Sequence, residues 1–402
     1  MNREKMILVT HGFPFGESER SFLSEEIKLI AEAYDLTVMP ILDNTADRSL
    51  RYKTLSQFRV VPFTFDRKKE IMSTPRTLTD KAAVKEILSM LPDQKRAKKV
   101  SGFVNRSCVL GYALENIIRT NGADIIYTYW CAEETYAAIR QKRKYHDLKV
   151  ISRLHGYDLF KERNPLGIQP MHKYIADNAD LLVFVSDFGR NYFKETFPGK
   201  AKTIVSYLGA KGFEKLSSER ENSFVVVSCS SVIPLKRVEM IAQALKFIKS
   251  PALHWIHIGD GSEIENVRLA ANGIKCEFLG QIPNDKIAEI YKQYSPDLFI
   301  TASSSEGLPI SIVEAFSCGI PAIATAAGGI PELVKDGDTG FIVPVDTDAR
   351  RLAQTIEKYY SLDTAQRHKM RENAFEMYRD HFDARDNARR FISILKKLKN
   401  NK

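Results

Sequence analysis

Short apolar runs recur along the chain, and most are followed by a glycine-bearing loop and then an amphipathic stretch. In the first half the runs Met6–Thr10, Thr37–Pro40, Arg59–Phe63, Asp124–Tyr129, Val150–Leu154 and Ala179–Val185 read as strands. Phe22–Ala33, Glu133–Lys144 and Phe188–Thr196 read as helices, the last with Ser186 as its N-cap. In the second half Phe224–Cys229, His254–Ile258, Cys276–Leu279 and Asp297–Thr301 are strands, and Val238–Lys249 and Lys286–Tyr294 are helices. Phe224–Cys229 is continuously apolar, as strands buried on both faces of parallel sheets are. Alternation of strand and helix in both halves predicts an α/β chain of two doubly wound, Rossmann-like domains. The boundaries fall at 1–208, a polar linker 209–223, a second domain 224–383, and a final amphipathic helix within 384–402 that aligns Phe391, Ile392, Leu395 and Leu398 on one face.

Length agrees, because 402 residues exceed one ordinary domain. The five cysteines are scattered without a C-x-x-C pair, which argues against a disulfide framework or a zinc site. No apolar run reaches membrane-spanning length, and the N-terminus runs straight into a strand without a cleavage site, so a cytoplasmic location is expected. The net charge of +9 is uneven: residues 1–200 hold 32 Lys and Arg against 25 Asp and Glu, and the second half 27 against 25. Basic clusters stand at Arg67–Lys69 and Lys95–Lys99, in a strongly charged helical stretch at 66–122, and at Arg140–Lys144. They suit an anionic membrane surface or a pyrophosphate-linked acceptor. Without interleaved aromatics they do not suggest nucleic acid.

Candidate chemistry is densest from Ser303 to Glu332. Glu306 follows an apolar strand, Gly307 and Pro309 turn the chain, and Pro309 starts a helix that Gly319 stops. Free N–H groups near Ile310–Ile312 would then face the loop mouth and suit an anion. Glu314 stands on this almost wholly apolar helix, so its carboxylate needs donors, from the protein itself or from the paired hydroxyls of a ribose. A second strand with a Gly328-Gly329 loop follows, giving two adjacent N–H-lined loops that suit a diphosphate with a sugar at each end. Other strand ends add candidates. Ser230-Ser231 leads to Lys236-Arg237, whose cations suit phosphate oxygens. Gly280-Gln281-Ile282 offers backbone for a flat base. Gly12 and Gly16 give a loop after the first strand, and His155-Gly156 ends a strand where α/β sheets bind ligands.

The run Glu306-Gly307-Leu308-Pro309, Glu314-Ala315, Gly319, Pro321 and Thr325 with Gly328 to Glu332 resembles the donor-binding core of the retaining glycosyltransferases of family 4. The resemblance implies the GT-B fold, with two domains facing a cleft and a C-terminal helix crossing back to the first. It implies that Glu314 binds ribose hydroxyls and Glu306 the transferred sugar. Gly307 and Leu308 would approach sugar and phosphates, Lys236 would hold the diphosphate, and Gln281 and Ile282 would border the base. His155 would face the reaction centre, and Gly12 and Gly16 match the family's first glycine loop. The pattern departs at Ser230-Ser231, where the family commonly has Gly-Arg; Arg237 is the nearest stand-in. No Asp-x-Asp motif ends a strand, so no metal or other cofactor is expected. The implied activity is retaining transfer of a hexose-type sugar from a UDP- or GDP-type donor to a saccharide or lipid-linked acceptor. Bacterial cell-surface polysaccharide synthesis at the inner face of the membrane is the expected setting. A GT-B sugar-nucleotide epimerase and a non-catalytic nucleotide-sugar binder are the competing readings.

Overall fold

The computed structural model of the chain describes residues 3–15, 19, 23–42, 57–65, 79–213, 224–249 and 253–400. It divides into two units, one of Met1–Ser206 with Ala388–Lys402 and one of Tyr207–Asn387.

Unit 1 is built on a parallel sheet of β1 (Lys5–Thr10), β2 (Asp35–Leu42), β3 (Arg59–Val60), β4 (Phe63–Thr64), β5 (Ile125–Thr128), β6 (Lys149–Leu154), β7 (Leu181–Phe184) and β8 (Lys202–Val205). The order is β3-β2-β1-β5-β6-β7-β8, with β4 also on β2. Alternate residues of each strand feed opposite cores. Met6 and Leu8 pack with Tyr127 and Ile151 on one face; Ile7 and Val9 pack with Ile126 and Val150 on the other. The run expected as one strand from Arg59 to Phe63 is split into β3 and β4 around Val61-Pro62, because proline has no N–H for the ladder. The charged stretch forms a helical hairpin, Lys81–Ser89 and Gln94–Asn121, each helix N-capped by an aspartate, Asp80 and Asp93. The cluster Arg67–Lys69 lies outside the described residues. The last helix, Ala384–Asn400, belongs to unit 1 from Ala388 onward. There Phe391, Ile392 and Leu395 are buried in the core with Met6 and Leu8.

Unit 2 carries β9 (Phe224–Cys229), β10 (Leu253–Ile258), β11 (Cys276–Phe278), β12 (Leu298–Thr301), β13 (Ala322–Thr325) and β14 (Gly340–Val343), all parallel, in the order β11-β10-β9-β12-β13-β14. Val226, Trp255, Leu298 and Ile300 anchor its core. Of the stretch read as a linker, residues 214–223 lie outside the described residues. Residues before them are tied into unit 2: Ala210 N–H donates to Phe382 O at 3.1 Å, and Ala384 N–H to Ala210 O at 3.1 Å.

Each sheet therefore has one point where strand order reverses, β1/β5 in unit 1 and β9/β12 in unit 2. The loops leaving the carboxyl ends of the strands there diverge and open a crevice. The sequence-expected site residues fall on or near these loops.

Candidate active site

In unit 2 the loop after β9 enters a 3-10 turn, Pro234–Lys236, and Arg237 follows in the left-handed region at φ 48°. This turn aims Lys236 across the reversal point, where its Nζ lies 2.5 Å from Oε1 of Glu306 on the loop after β12. Both side chains are largely buried. The pair ties the two loops, as do the N–H and the hydroxyl of Ser304, which both donate to Leu235 O, at 2.9 and 3.1 Å. The loop after β13 closes on the same place. Gly329 N–H donates to Gly307 O at 3.2 Å, and Thr325 Oγ1 donates to Ser303 O at 2.5 Å. Gly328 has φ 57°, and a Cβ there would overlap the carbonyl of Glu306, so only glycine lets this loop seat the glutamate.

Glu314 is buried on the helix Ile310–Ser317, which has no side-chain N-cap. Burial pushes its carboxyl up to about 7, against the pull of one donor, the Asn284 side-chain amide at 2.5 Å from Oε1. The hydroxyl of the neighbouring buried Tyr291 has no hydrogen-bond partner among the described residues. A carboxylate held so far up and so thinly satisfied gains from a ligand that brings hydroxyl donors.

The structure redirects three expectations here. The Ile312 N–H is already bonded to Pro309 O at 3.1 Å, so the free donors of the helix start are fewer than expected. Arg237 turns onto the protein's own backbone: Nε and Nη1 donate to Ala302 O and Val345 O at 2.6 and 2.7 Å, and Nη2 to Ser303 O at 3.3 Å. Its guanidinium is spent on these carbonyls and does not stand in for the arginine absent at the exposed Ser231. Gly307 and Leu308 are buried beside Glu306, whereas Gln281 is exposed and Ile282 half-buried in the loop that carries Asn284.

In unit 1, His155 directly follows β6. Its backbone N–H donates to Asp158 Oδ1 at 2.8 Å, and Asp158 Oδ2 takes the Cys131 N–H at 2.9 Å. Burial pushes Asp158 up, but His155 and these amides outweigh it and hold the carboxyl below its usual value. The His155 ring packs on Trp130 and Tyr129, with centroids at 4.3 and 4.9 Å; its Nδ1 faces Asp158 Oδ2 at 3.8 Å, beyond hydrogen-bond reach, and buried Nε2 has no hydrogen-bond partner among the described residues. A buried imidazole in that state is a group in want of a ligand.

The glycine loop after β1 behaves differently from expectation. The N–H groups of His11, Gly12 and Phe13 all donate to the buried Glu19 carboxylate at 2.8–2.9 Å, joined by the Trp130 indole at 2.6 Å. Gly12 thus spends its amide internally, and Gly16 lies outside the described residues. Beside it, His11 Nε2 is 3.1 Å from Oε1 of the buried Glu134. Burial lowers the His11 pKa, but Glu134, Glu19 and Glu133 overcome this and raise it to about 9. Among the described residues, no group of three or more His, Cys, Asp or Glu is placed to hold a metal ion.

The profile of the family described as glycosyl transferases group 1 matches residues 213–377. The chain is also 29% identical over 260 residues to an uncharacterized glycosyltransferase of Methanocaldococcus jannaschii, covering 64% of this chain and 70% of that one. Its residues 213–377 are those of a group 1 glycosyltransferase. It is 24% identical over 263 residues to an Escherichia coli glycosyltransferase named for colanic acid biosynthesis, covering 62% of this chain and 64% of that protein. The fold matches the crystal structure of Anabaena HepE in complex with UDP and glucose with a TM-score of 0.67, at 20% identity, over 98% of this chain and all of the other. This glycosyltransferase therefore has the GT-B fold. Sequence reasoning about it missed Asn284, the proline-flanked polar residue after Ile282. It also missed Trp130, Glu134 and Glu19, which carry no local motif and gather only when the strands pair.

Proposed function

We propose that the enzyme is a retaining, metal-independent glycosyltransferase of family 4. It moves a hexose-type sugar from a UDP- or GDP-sugar to a hydroxyl of a saccharide or lipid-linked saccharide in bacterial cell-surface polysaccharide synthesis, in the cytoplasm at the inner face of the membrane. The observation that carries the reading is the pair of buried glutamates at the unit 2 reversal point, Glu306 on Lys236 and Glu314 with Asn284 as its one side-chain donor among the described residues. Glu314 accepts the ribose hydroxyls. Lys236 takes the diphosphate, releasing Glu306 to accept hydroxyls of the sugar, with the Gly307 and Leu308 backbone alongside and Gln281 and Ile282 against the base. His155, in unit 1, is assigned to the donor sugar through Nε2, with Nδ1 toward Asp158. The glycosidic carbon–oxygen bond to the diphosphate breaks through an oxocarbenium-like state, and the acceptor oxygen attacks on the same face. Its proton passes to the departing phosphate oxygen, whose charge Lys236 neutralises. The colanic acid relative and the UDP in the Anabaena structure support the setting and the donor.

A thermal-shift panel of UDP, GDP, ADP and CMP with their sugars tests this. Ligand at a hundred times its Kd adds about 2.7 kcal/mol. A shift with the UDP or GDP series, absent in Glu314→Ala, is the expected result; no shift with any nucleotide overturns it. Ser231 and the committed Arg237 favour one alternative, a nucleotide-sugar binder without transfer. That reading is separated by sugar release, which the enzyme loses in Glu306→Ala and a binder never shows.

A further inference from the structure

The helical hairpin of unit 1 buries its own apolar residues selectively. Ala83, Val100, Phe103 and Val104 are buried, and Ile87 and Met90 pack against their cluster. Leu88 and Leu91, at the turn, are left out of it, 59% and 51% exposed. The hairpin is held at its base by Asp80 and near its tip by Glu86. Asp80 caps the first helix and takes the Tyr136 hydroxyl at 2.8 Å, and Glu86 turns inward to accept the Met171 N–H at 2.6 Å. The charge of the hairpin is one-sided: among the described residues 79–100, Lys81, Lys85, Lys95, Arg96, Lys98 and Lys99 stand against Asp80 and Glu86, both turned inward, and Asp93, which caps the second helix and pairs with Arg96 at 3.4 Å. Lys81, Lys85, Lys95 and Lys98 are exposed. The other basic cluster differs, since Arg140, Lys142 and Lys144 are paired with Asp80, Asp180 and Glu115.

We propose that this tip docks the protein on an anionic membrane surface, with Leu88 and Leu91 entering the headgroup layer and the surrounding lysines meeting lipid phosphates. Apolar side chains rimmed by exposed cations are the chemistry of interfacial attachment, and a hairpin held from behind presents them without an ordering cost. The inference deepens the proposed function by naming the surface that would bring the enzyme to a lipid-linked acceptor, and it rests on that reading for the acceptor alone.

The test is co-sedimentation of the full chain with vesicles of phosphatidylcholine, or of phosphatidylcholine mixed with phosphatidylglycerol. Partition at least about tenfold stronger onto the mixed vesicles, lost at high salt, is expected. Leu88→Ser with Leu91→Ser lowers it a further tenfold or more, as does Lys95→Glu with Lys98→Glu, while thermal unfolding stays unchanged because these side chains are exposed. Equal partition onto both vesicles, or variants that partition like the parent, overturns the proposal. So does a leucine variant that changes only the oligomeric state, which makes the tip a contact between copies. Nucleotide thermal shifts on the same samples keep the two readings apart: a shift without vesicle binding overturns this inference alone, and vesicle binding without a shift overturns only the proposed function.

Discussion

The ammonium of Lys236 and the carboxylate of Glu306 lie 2.5 Å apart, joining two loops that leave opposite sides of the point where the unit 2 sheet reverses its strand order. Each neutralises a partner that a charged ligand would otherwise meet alone. Lys236→Ala is expected to weaken nucleoside diphosphate binding about 10–100-fold, as loss of a charge-assisted phosphate contact does, while binding of the nucleoside without phosphates changes little. Calorimetric titration of both ligands checks this; an equal loss for the two places Lys236 away from the diphosphate.

Burial pushes the Glu314 carboxyl up to about 7, and in the proposed donor site the ionised form is the one that accepts both ribose hydroxyls. Nucleotide affinity should therefore fall as the pH drops from 8 to 6, and the slope should vanish in Glu314→Gln. Stability runs the other way. A carboxyl whose folded value lies above its usual 4.5 is protonated in the folded state first, so its contribution is favourable at low pH and is lost as pH rises from 4.5 through 7. Glu314→Gln is expected to be more stable than the parent at pH 8, by as much as about 3 kcal/mol, while binding nucleotide more weakly. Denaturant melts at pH 5 and pH 8 read the difference.

His11 gains its charge from the carboxylates around it, with a folded value of about 9 against the ordinary 6.5. The pairing with Glu134 contributes stability that is complete below 6.5 and disappears as pH rises through 9. Because the imidazole is 47% exposed, solvent screens much of this, and the expected signature is a small fall in Tm between pH 7 and 10 that His11→Asn removes. An unchanged slope in the variant would mean that the pair carries no charge.

Arg237 is a structural clamp. Arg237→Lys keeps the charge but cannot reach three carbonyls from one nitrogen, so both Arg237→Ala and Arg237→Lys are expected to lower stability, by about 2–4 kcal/mol. If Arg237→Lys instead melts like the parent and loses nucleotide binding, the guanidinium meets phosphate after all.

Gly328→Ala forces a side chain into a φ of 57° and into the Glu306 carbonyl. A cost of about 1–3 kcal/mol is expected, together with loss of transfer as Glu306 is displaced. Transfer at the parent rate in a folded variant would show that the seat of Glu306 is not set by this loop.

What the sequence made legible was local. Strand, glycine loop and helix follow one another within a dozen residues around Glu306 and Glu314, so their burial and neighbourhood could be read from periodicity and turn chemistry alone. Arg237 was misjudged because its direction is set by a left-handed backbone and by the Val345 carbonyl, 108 positions away. Asn284 reaches Glu314 across 30 residues, and His11 meets Glu134 across 123; neither distance leaves a trace in spacing. Charge runs misled for the same reason. Arg140 to Lys144 looks like an open basic surface along the chain, yet Asp80, Glu115 and Asp180 come to it from three other segments. The strand at Arg59 broke where Pro62 could have warned of it.

The last helix has a consequence for the order in which the protein is made. Phe391 is fully buried with its ring 4.6 Å from the Arg153 guanidinium, which itself sits inside unit 1 beside Glu26. A nascent chain that has delivered every strand of the first sheet still lacks this lid, and it acquires it only after all of residues 207–387 have left the ribosome. The unit encoded second can thus finish folding first, while the one encoded first waits, with Arg153 and Tyr127 uncovered, for the final turns of the chain.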